Sequence, residues 1–174
     1  NLENTKKVVE YRNHVNPECL VEAEFGFIGS GSSIKDEIPE GVSEETMTKP
    51  EEAKEFVKAS GVEVLAPSVG NIHGMVKSGN PALNPERVSA IWEATQTPLV
   101  LHGGSGSSDE DFVSVIKAGI SLIHISTELR VAFREAIEKS LKADETLAPY
   151  RYFKDAKDAV QKGAADRIRL FWGV

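Results

Sequence analysis

Leu99-Val100-Leu101-His102-Gly103-Gly104-Ser105-Gly106 is a short apolar run that stops at a histidine, two glycines and a hydroxyl. The run, which begins at Pro98, reads as a buried strand. The glycine-rich residues after His102 read as a loop in which backbone N–H groups can approach a ligand closely. Three similar runs flank it, at residues 20–26, 62–66 and 120–125. Helical patterns alternate with them. Residues 109–118 carry Phe112, Val113 and Ile116, with Ser108 and Asp111 as the N-cap pair and Gly119 as the stop. Residues 85–95 carry Val88, Ile91 and Trp92. The helix beginning near Pro50 buries Ala53, Phe56 and Val57, with Thr48 and Glu51 as a capping box and Gly61 as the C-cap. Helical stretches at residues 3–13, 128–142 and 153–170 complete the pattern. The middle one of these puts Leu129, Ala132, Phe133, Ile137 and Leu141 on one face.

Strand followed by helix, repeated about four times, means parallel βα units in an α/β fold. Four units form either a small open sheet or half of a closed (β/α)8 barrel, which needs roughly 250 residues. The 174 residues give a prior of about one domain, residues 1–174. A polar, glycine-rich segment from residue 29 to about 47 reads as a mobile active-site loop.

Composition narrows the function. The chain has 20 Lys+Arg against 27 Asp+Glu, a net charge of −7, and no basic stripe for nucleic acid. A single cysteine, Cys19, leaves no intramolecular disulfide and points to a reducing, cytoplasmic compartment. No apolar run approaches the ~20 residues of a membrane span, and the opening residues do not read as a signal peptide. Asn1-Leu2-Glu3-Asn4 reads instead like a helix already under way in a larger protein.

Chemistry gathers where the strands end, as parallel α/β architectures require. In Val21-Glu22-Ala23-Glu24-Phe25 the two carboxylates alternate with apolar residues, so both face away from the helix layer and into a lumen. An unpaired charge there is costly. For Glu22, ion pairing with a lysine competes evenly with a functional role, whereas Glu24 lies nearer the strand end and suits a metal or substrate. A lone histidine after a strand is more often packed than ligating. His73 and His102 end sequential strands about 4.8 Å apart, and each precedes a glycine, so the two imidazoles can converge on one ion. His102-Gly103-Gly104-Ser105-Gly106 then reads as a ligand with an anion-binding nest directly after it. Ser126 and Thr127 either add to that nest or cap the adjoining helix. Asp109, Glu110 and Asp111 suit the dipole of their helix but not a phosphate, which places the anion on the loop amides. His14 reads as solvated, and Trp92 and Trp172 as core.

Gly70-Asn71-Ile72-His73-Gly74, Pro98-Leu99-Val100-Leu101-His102-Gly103-Gly104-Ser105-Gly106 and Ile123-His124-Ile125-Ser126-Thr127-Glu128-Leu129 together resemble the class II, zinc-dependent ketose-bisphosphate aldolases. Val21-Glu22-Ala23-Glu24-Phe25-Gly26 and Thr48-Lys49-Pro50-Glu51-Glu52-Ala53 match the same family upstream, in the same order. The resemblance implies a (β/α)8 TIM barrel, with this chain as about strands five to eight. It implies His73 and His102 as zinc ligands, with Glu24 able to join an alternative metal position. Gly74, Gly103, Gly104, Ser105, Ser126 and Thr127 would hold the phosphate of dihydroxyacetone phosphate, and a monovalent cation (Na+ or K+) would support the same loops. His124 stands where the family carries a substrate-contacting asparagine, and Glu37 is the nearest candidate for the loop base. The third zinc histidine and the aspartate acid of the family fall outside this chain, so the piece alone is expected to be inactive.

The implied reaction is reversible cleavage of fructose 1,6-bisphosphate, or a related ketose bisphosphate such as tagatose 1,6-bisphosphate, by a homodimer or homotetramer. A non-catalytic phosphosugar-binding half-barrel is the alternative from another class, and a small metal-dependent α/β hydrolase is a weaker one.

Overall fold

The computed structural model describes residues 1–143 and 147–173. In chain order the elements are α1 Leu2–Val15, β1 Glu22–Phe25, β2 Ile34–Lys35, a 3-10 turn at Glu44–Thr46, α2 Pro50–Ser60, β3 Val64–Pro67, β4 Met75–Val76, α3 Pro85–Thr95, β5 Leu99–Leu101, α4 Asp109–Ala118, β6 Ile120–Ile123, α5 Thr127–Ala143 and α6 Pro149–Trp172. β1, β3, β5 and β6 form one parallel sheet in that order, so the order in space repeats the order in the chain. No described strand pairs with the outer edge of β1 or of β6.

Register explains which side of the sheet is chemical. Glu22 and Glu24 of β1 lie opposite Val64 and Ala66 of β3, while Ala23 lies opposite Leu65. Residues in register share a face, so the two glutamates stand on the side that carries Val64, Ala66 and Val100. The other side packs against the helices. There Ala23, Leu65, Leu99 and Leu101 meet Ala53, Phe56, Val88, Ile91, Phe112 and Val115 in the main core. Phe112 is wholly buried and contributes about 2–3 kcal/mol by that burial. Leu122 of β6 is 47 % exposed because it alternates onto the lumen side.

Some helix ends obey the local chemistry. Gly61, at φ 75°, closes α2 in the left-handed conformation, and the Ser108 hydroxyl accepts from the Asp111 amide to cap α4. The expected capping box at Thr48 and Glu51 does not form. Lys49 occupies the N-cap of α2 without a side-chain bond. The Thr48 hydroxyl instead donates to the Phe25 carbonyl (2.5 Å) and accepts from the Ser68 amide (2.9 Å), which ties β1 to the end of β3. Val115, rather than Val113 or Ile116, is the aliphatic residue that α4 buries beside Phe112. Trp92 is 42 % exposed and Trp172 90 % exposed, so neither belongs to the core. The apolar stripe of α5 is only partly covered, since Phe133 and Leu141 remain exposed. Its partner is α6, with Phe133 and Phe153 stacked at 6.2 Å and Leu129 against Gly163.

Two side-chain clamps hold the layers together. Arg12 of α1 donates to Glu63 and to the Cys19 carbonyl, and Glu63 Oε2 accepts from the Val21 amide at 2.9 Å. This hydrogen bonding from Arg12 holds the Glu63 carboxyl below the usual carboxylate range. Arg167 of α6 reaches Glu128 with two bonds, 2.6 and 3.0 Å, and Asp109 with a third at 2.7 Å. Its guanidinium lies 4.8 Å from the centre of the Phe112 ring, and its pKa is raised, first by the hydrogen bond to Glu128.

The glycine-rich segment has structure of its own. Ile34 and Lys35 pair in parallel with Met75 and Val76, which makes β2–β4 a second, two-stranded sheet. Lys77 Nζ adds a 2.6 Å bond to Asp36. No described helix is long and apolar enough to cross a membrane.

Candidate metal centre and anion cleft

β1 and the segments that follow β3, β5 and β6 bring Glu22 and Glu24, His73, His102 and His124 to one place. Glu24 Oε1 lies 2.5 Å from His102 Nδ1 and 3.6 Å from His73 Nε2. These three donors fall within 4.8 Å of one another. The His73 and His102 rings are 6.1 Å apart and tilted by 58°, so they converge on the carboxylate and do not stack. Two imidazoles and one carboxylate suit a borderline divalent cation such as zinc.

His73 is oriented from behind. Its Nδ1 lies 3.1 Å from the Gly29 carbonyl, an acceptor only, so Nδ1 carries the proton and donates. The Nε2 lone pair is then directed at Glu24 and the site, the arrangement that metal-binding histidines use. The His73 amide adds a 2.8 Å bond to the Ile28 carbonyl.

His102 is held through its backbone. Its carbonyl accepts from Asn71 Nδ2 at 2.8 Å, and Asn71 Oδ1 accepts from the Val69 amide at 2.8 Å. Asn71 is 2 % exposed, so this side chain acts as an internal strut between the ends of β3 and β5. Gly103 comes next at φ 61°, and a Cβ there would meet the Ile72 carbonyl oxygen at 2.1 Å. A glycine is therefore required for the two histidine loops to lie against each other. Gly74 does the same for the β2 segment, with the Ser33 carbonyl oxygen 2.3 Å from where its Cβ would stand.

Beside the histidines is a cavity of about 120 Å3, bounded by Gly74, Gly103, Ser105, Ser126 and Thr127. His73, His102, His124 and Ser32 also border it. The Ser105 hydroxyl is engaged with the start of α5, accepting from the amides of Ser126 (3.4 Å) and Glu128 (3.3 Å). Gly104 lies behind the cavity, against Phe112. Glu22 pairs with histidines and not with a lysine: its Oε1 is 2.6 Å from His102 Nε2. His124 stands beside His102, with ring centres 4.5 Å apart. Glu37 is exposed on the loop after β2 and does not line the cavity.

Two residues of the site are not evident from sequence pattern. Asn71 is visible inside Gly-Asn-Ile-His-Gly, but its strut role depends on a contact 31 positions away. Arg130 donates to the Ser32 carbonyl (2.7 Å) and to Thr127 Oγ1 (3.2 Å), fastening the β2 segment to the cavity rim. Its one signal is the three-residue spacing from Thr127 on one helix face.

Similarity to known proteins agrees with this geometry. The family model for class-II fructose-bisphosphate aldolase matches residues 1–173. Fructose-bisphosphate aldolases of Staphylococcus epidermidis and Staphylococcus aureus are each 34 % identical over 172 residues, covering 98 % of this chain and 57 % of their own length. The chain thus spans a little over half the length of these curated relatives. The crystal structure of the YdjI aldolase from Escherichia coli K12 superposes with a TM-score of 0.78 at 33 % identity, over 98 % of this chain and 55 % of that one. Fructose-bisphosphate aldolase from Campylobacter jejuni, at 19 % identity and TM-score 0.74, shares the fold over 98 % of this chain and 56 % of its own. The four-stranded parallel sheet is accordingly half of a TIM barrel, and the chain belongs to the class II fructose-bisphosphate aldolase family.

Proposed function

We propose that this chain is the second half of a barrel, one domain over residues 1–174, that carries out reversible aldol cleavage of a ketose 1,6-bisphosphate. Fructose 1,6-bisphosphate, giving dihydroxyacetone phosphate and glyceraldehyde 3-phosphate, is the first substrate to test. The observation that carries the reading is the convergence of Glu24, His73 and His102 beside a cavity edged by glycines and hydroxyls.

His73, His102 and Glu24 would hold Zn2+, which when bound supplies a Lewis acid for the negative charge that develops at the substrate carbonyl. The chain's own groups do the rest. Gly74, Gly103 and Ser105, with Ser126 and Thr127 on the rim and Gly104 supporting them from behind, take the phosphate, so that binding fixes the three-carbon end. His124, at the mouth of the cavity, faces the substrate hydroxyls. Glu37 exchanges the proton on the three-carbon fragment after the segment from residue 29 to about 47 swings toward the cavity. The acid at the aldehyde oxygen comes from the part of the barrel that the longer relatives carry outside the matched region. Backbone carbonyls of the same loops suit Na+ or K+. A homo-oligomer in the cytoplasm is consistent with the exposed Trp172 and Tyr150 and with the free Cys19 thiol.

The test is turnover by the full-length protein with fructose and tagatose 1,6-bisphosphates, before and after chelation. Chelator, His73→Ala and His102→Ala are each expected to lower kcat/KM by about 1,000-fold or more. Near-normal turnover in either alanine variant overturns the metal assignment. Phosphosugar binding with no cleavage of either substrate favours a non-catalytic binding half-barrel.

A further inference from the structure

Asn80 does not line the anion cleft, yet its side chain is bonded to the loop that does. Its Oδ1 accepts from the Val76 amide at 2.8 Å, and its Nδ2 donates to the Ser105 carbonyl at 2.9 Å, 25 residues further along the chain. A backbone N–H only donates and a carbonyl only accepts, so a carboxamide is the group that satisfies both at once. The two partners also fix which way round the carboxamide stands. Gly106, at φ 91°, lies flat against it: a Cβ there would come within 3.1 Å of Asn80 Nδ2, Cγ and Oδ1.

The geometry of the cleft depends on Ser105. This residue is buried, so its carbonyl needs a donor from the protein. Among the described residues, Asn80 is the one side chain that donates to it. The Ser105 hydroxyl accepts from the Ser126 and Glu128 amides, so the same residue joins the glycine-rich loop to the start of α5. Gly103, Ser105, Ser126 and Thr127 all border the cavity, and its shape on that side follows from where Ser105 stands. At its other end Asn80 grips Val76 of β4, the strand that pairs with β2. The Gly79 amide closes the intervening turn with a 3.0 Å bond to the Val76 carbonyl. One carboxamide thus holds the anion loop at a set distance from the two-stranded sheet.

We propose that Asn80 is a positioning residue for phosphate recognition, which sets Ser105 and the donors around it in the geometry that takes the phosphate of the substrate. The inference rests on the reading of this cavity as the phosphate site. Asn80 stays behind the cleft wall and acts through Ser105. His102, three residues before Ser105, is held separately by Asn71, so loss of the Asn80 bond leaves the metal donors where they are.

The experiment is calorimetric titration of the full-length protein with inorganic phosphate, beside Co2+ titration and steady-state cleavage of fructose 1,6-bisphosphate. Asn80→Ala removes both bonds, whereas Asn80→Asp keeps the Val76 bond and sets an acceptor against the Ser105 carbonyl. Each variant should weaken phosphate binding about tenfold or more and raise KM by a similar factor, with kcat within about threefold of the wild type. Co2+ affinity should stay unchanged. Adding Ser105→Ala to Asn80→Ala should cost less than the product of the two single losses, because both act on the placement of one residue. Wild-type phosphate affinity in both Asn80 variants overturns the proposal and leaves the phosphate reading standing. Independent, multiplicative losses in the double variant overturn it too, as does a fall in Co2+ affinity as large as the fall in phosphate affinity. A wild type that binds no phosphate overturns the reading of the cavity itself, and the proposal with it.

Discussion

The imidazole of His73 donates from Nδ1 to the carbonyl of Gly29, 3.1 Å away and 44 residues earlier in the chain. The polar segment after β1 therefore sets the tautomer of a candidate ligand. Gly29 has φ 76°, and a Cβ on it would come within 2.9 Å of the Pro39 ring. Gly29→Ala should displace that carbonyl and lower zinc affinity about tenfold, the usual loss when an outer partner of a metal-binding histidine is disturbed. Competition with a chromophoric chelator measures it, and an unchanged affinity would show that the ring is held by other contacts.

Asn71 offers a cleaner separation of support from chemistry. Asn71→Ala leaves the Val69 amide and the His102 carbonyl without their partner in a buried place, which costs about 2–3 kcal/mol. Denaturant unfolding should show that loss in full, and metal affinity should drop with it as His102 loosens. A variant as stable as the wild type would mean that water replaces the amide.

The Arg12–Glu63 pair predicts a pH signature. The folded-state pKa of Glu63 lies below the unfolded value, so its contribution is present above the unfolded value and fades as pH falls through the folded one. About one third of the Glu63 side chain reaches solvent, so screening keeps the contribution near 1 kcal/mol. Glu63→Gln should lower Tm at pH 7 and converge with the wild type as acid protonates the carboxylate. A gap in Tm that stays constant down to pH 3 would contradict it.

Arg167 joins α6 to the starts of α4 and α5 through charged bonds and the face of Phe112. Arg167→Ala should destabilise by about 2 kcal/mol, and Arg167→Lys should recover less than half, since an ammonium cannot make the paired contacts to Glu128. Urea midpoints of the three proteins decide the point.

The features that the sequence makes readable are those fixed by neighbours along the chain. Alternation in Val21-Glu22-Ala23-Glu24-Phe25 correctly puts both glutamates on the lumen face, and histidine–glycine pairs after two runs mark strand ends that do meet. Sequence pattern misleads where a distant partner claims a side chain. Thr48 has the look of a helix cap, yet Phe25 and Ser68 take its hydroxyl. The β2–β4 pair has two residues in each strand, too few for any periodicity to show. The aromatic spacing of Trp92 and Trp172 suggests core, yet Trp92 lies half-covered against Gly119 and Trp172 stands almost fully exposed.

The agreement between chain order and sheet order has a consequence for synthesis. Each new βα unit needs to dock only against the one made just before it, so loop-closure costs stay low and the sheet can grow as the polypeptide leaves the ribosome. Arg167 is made after Glu128 and Asp109 and grips both, so α6 latches βα units that precede it in the chain.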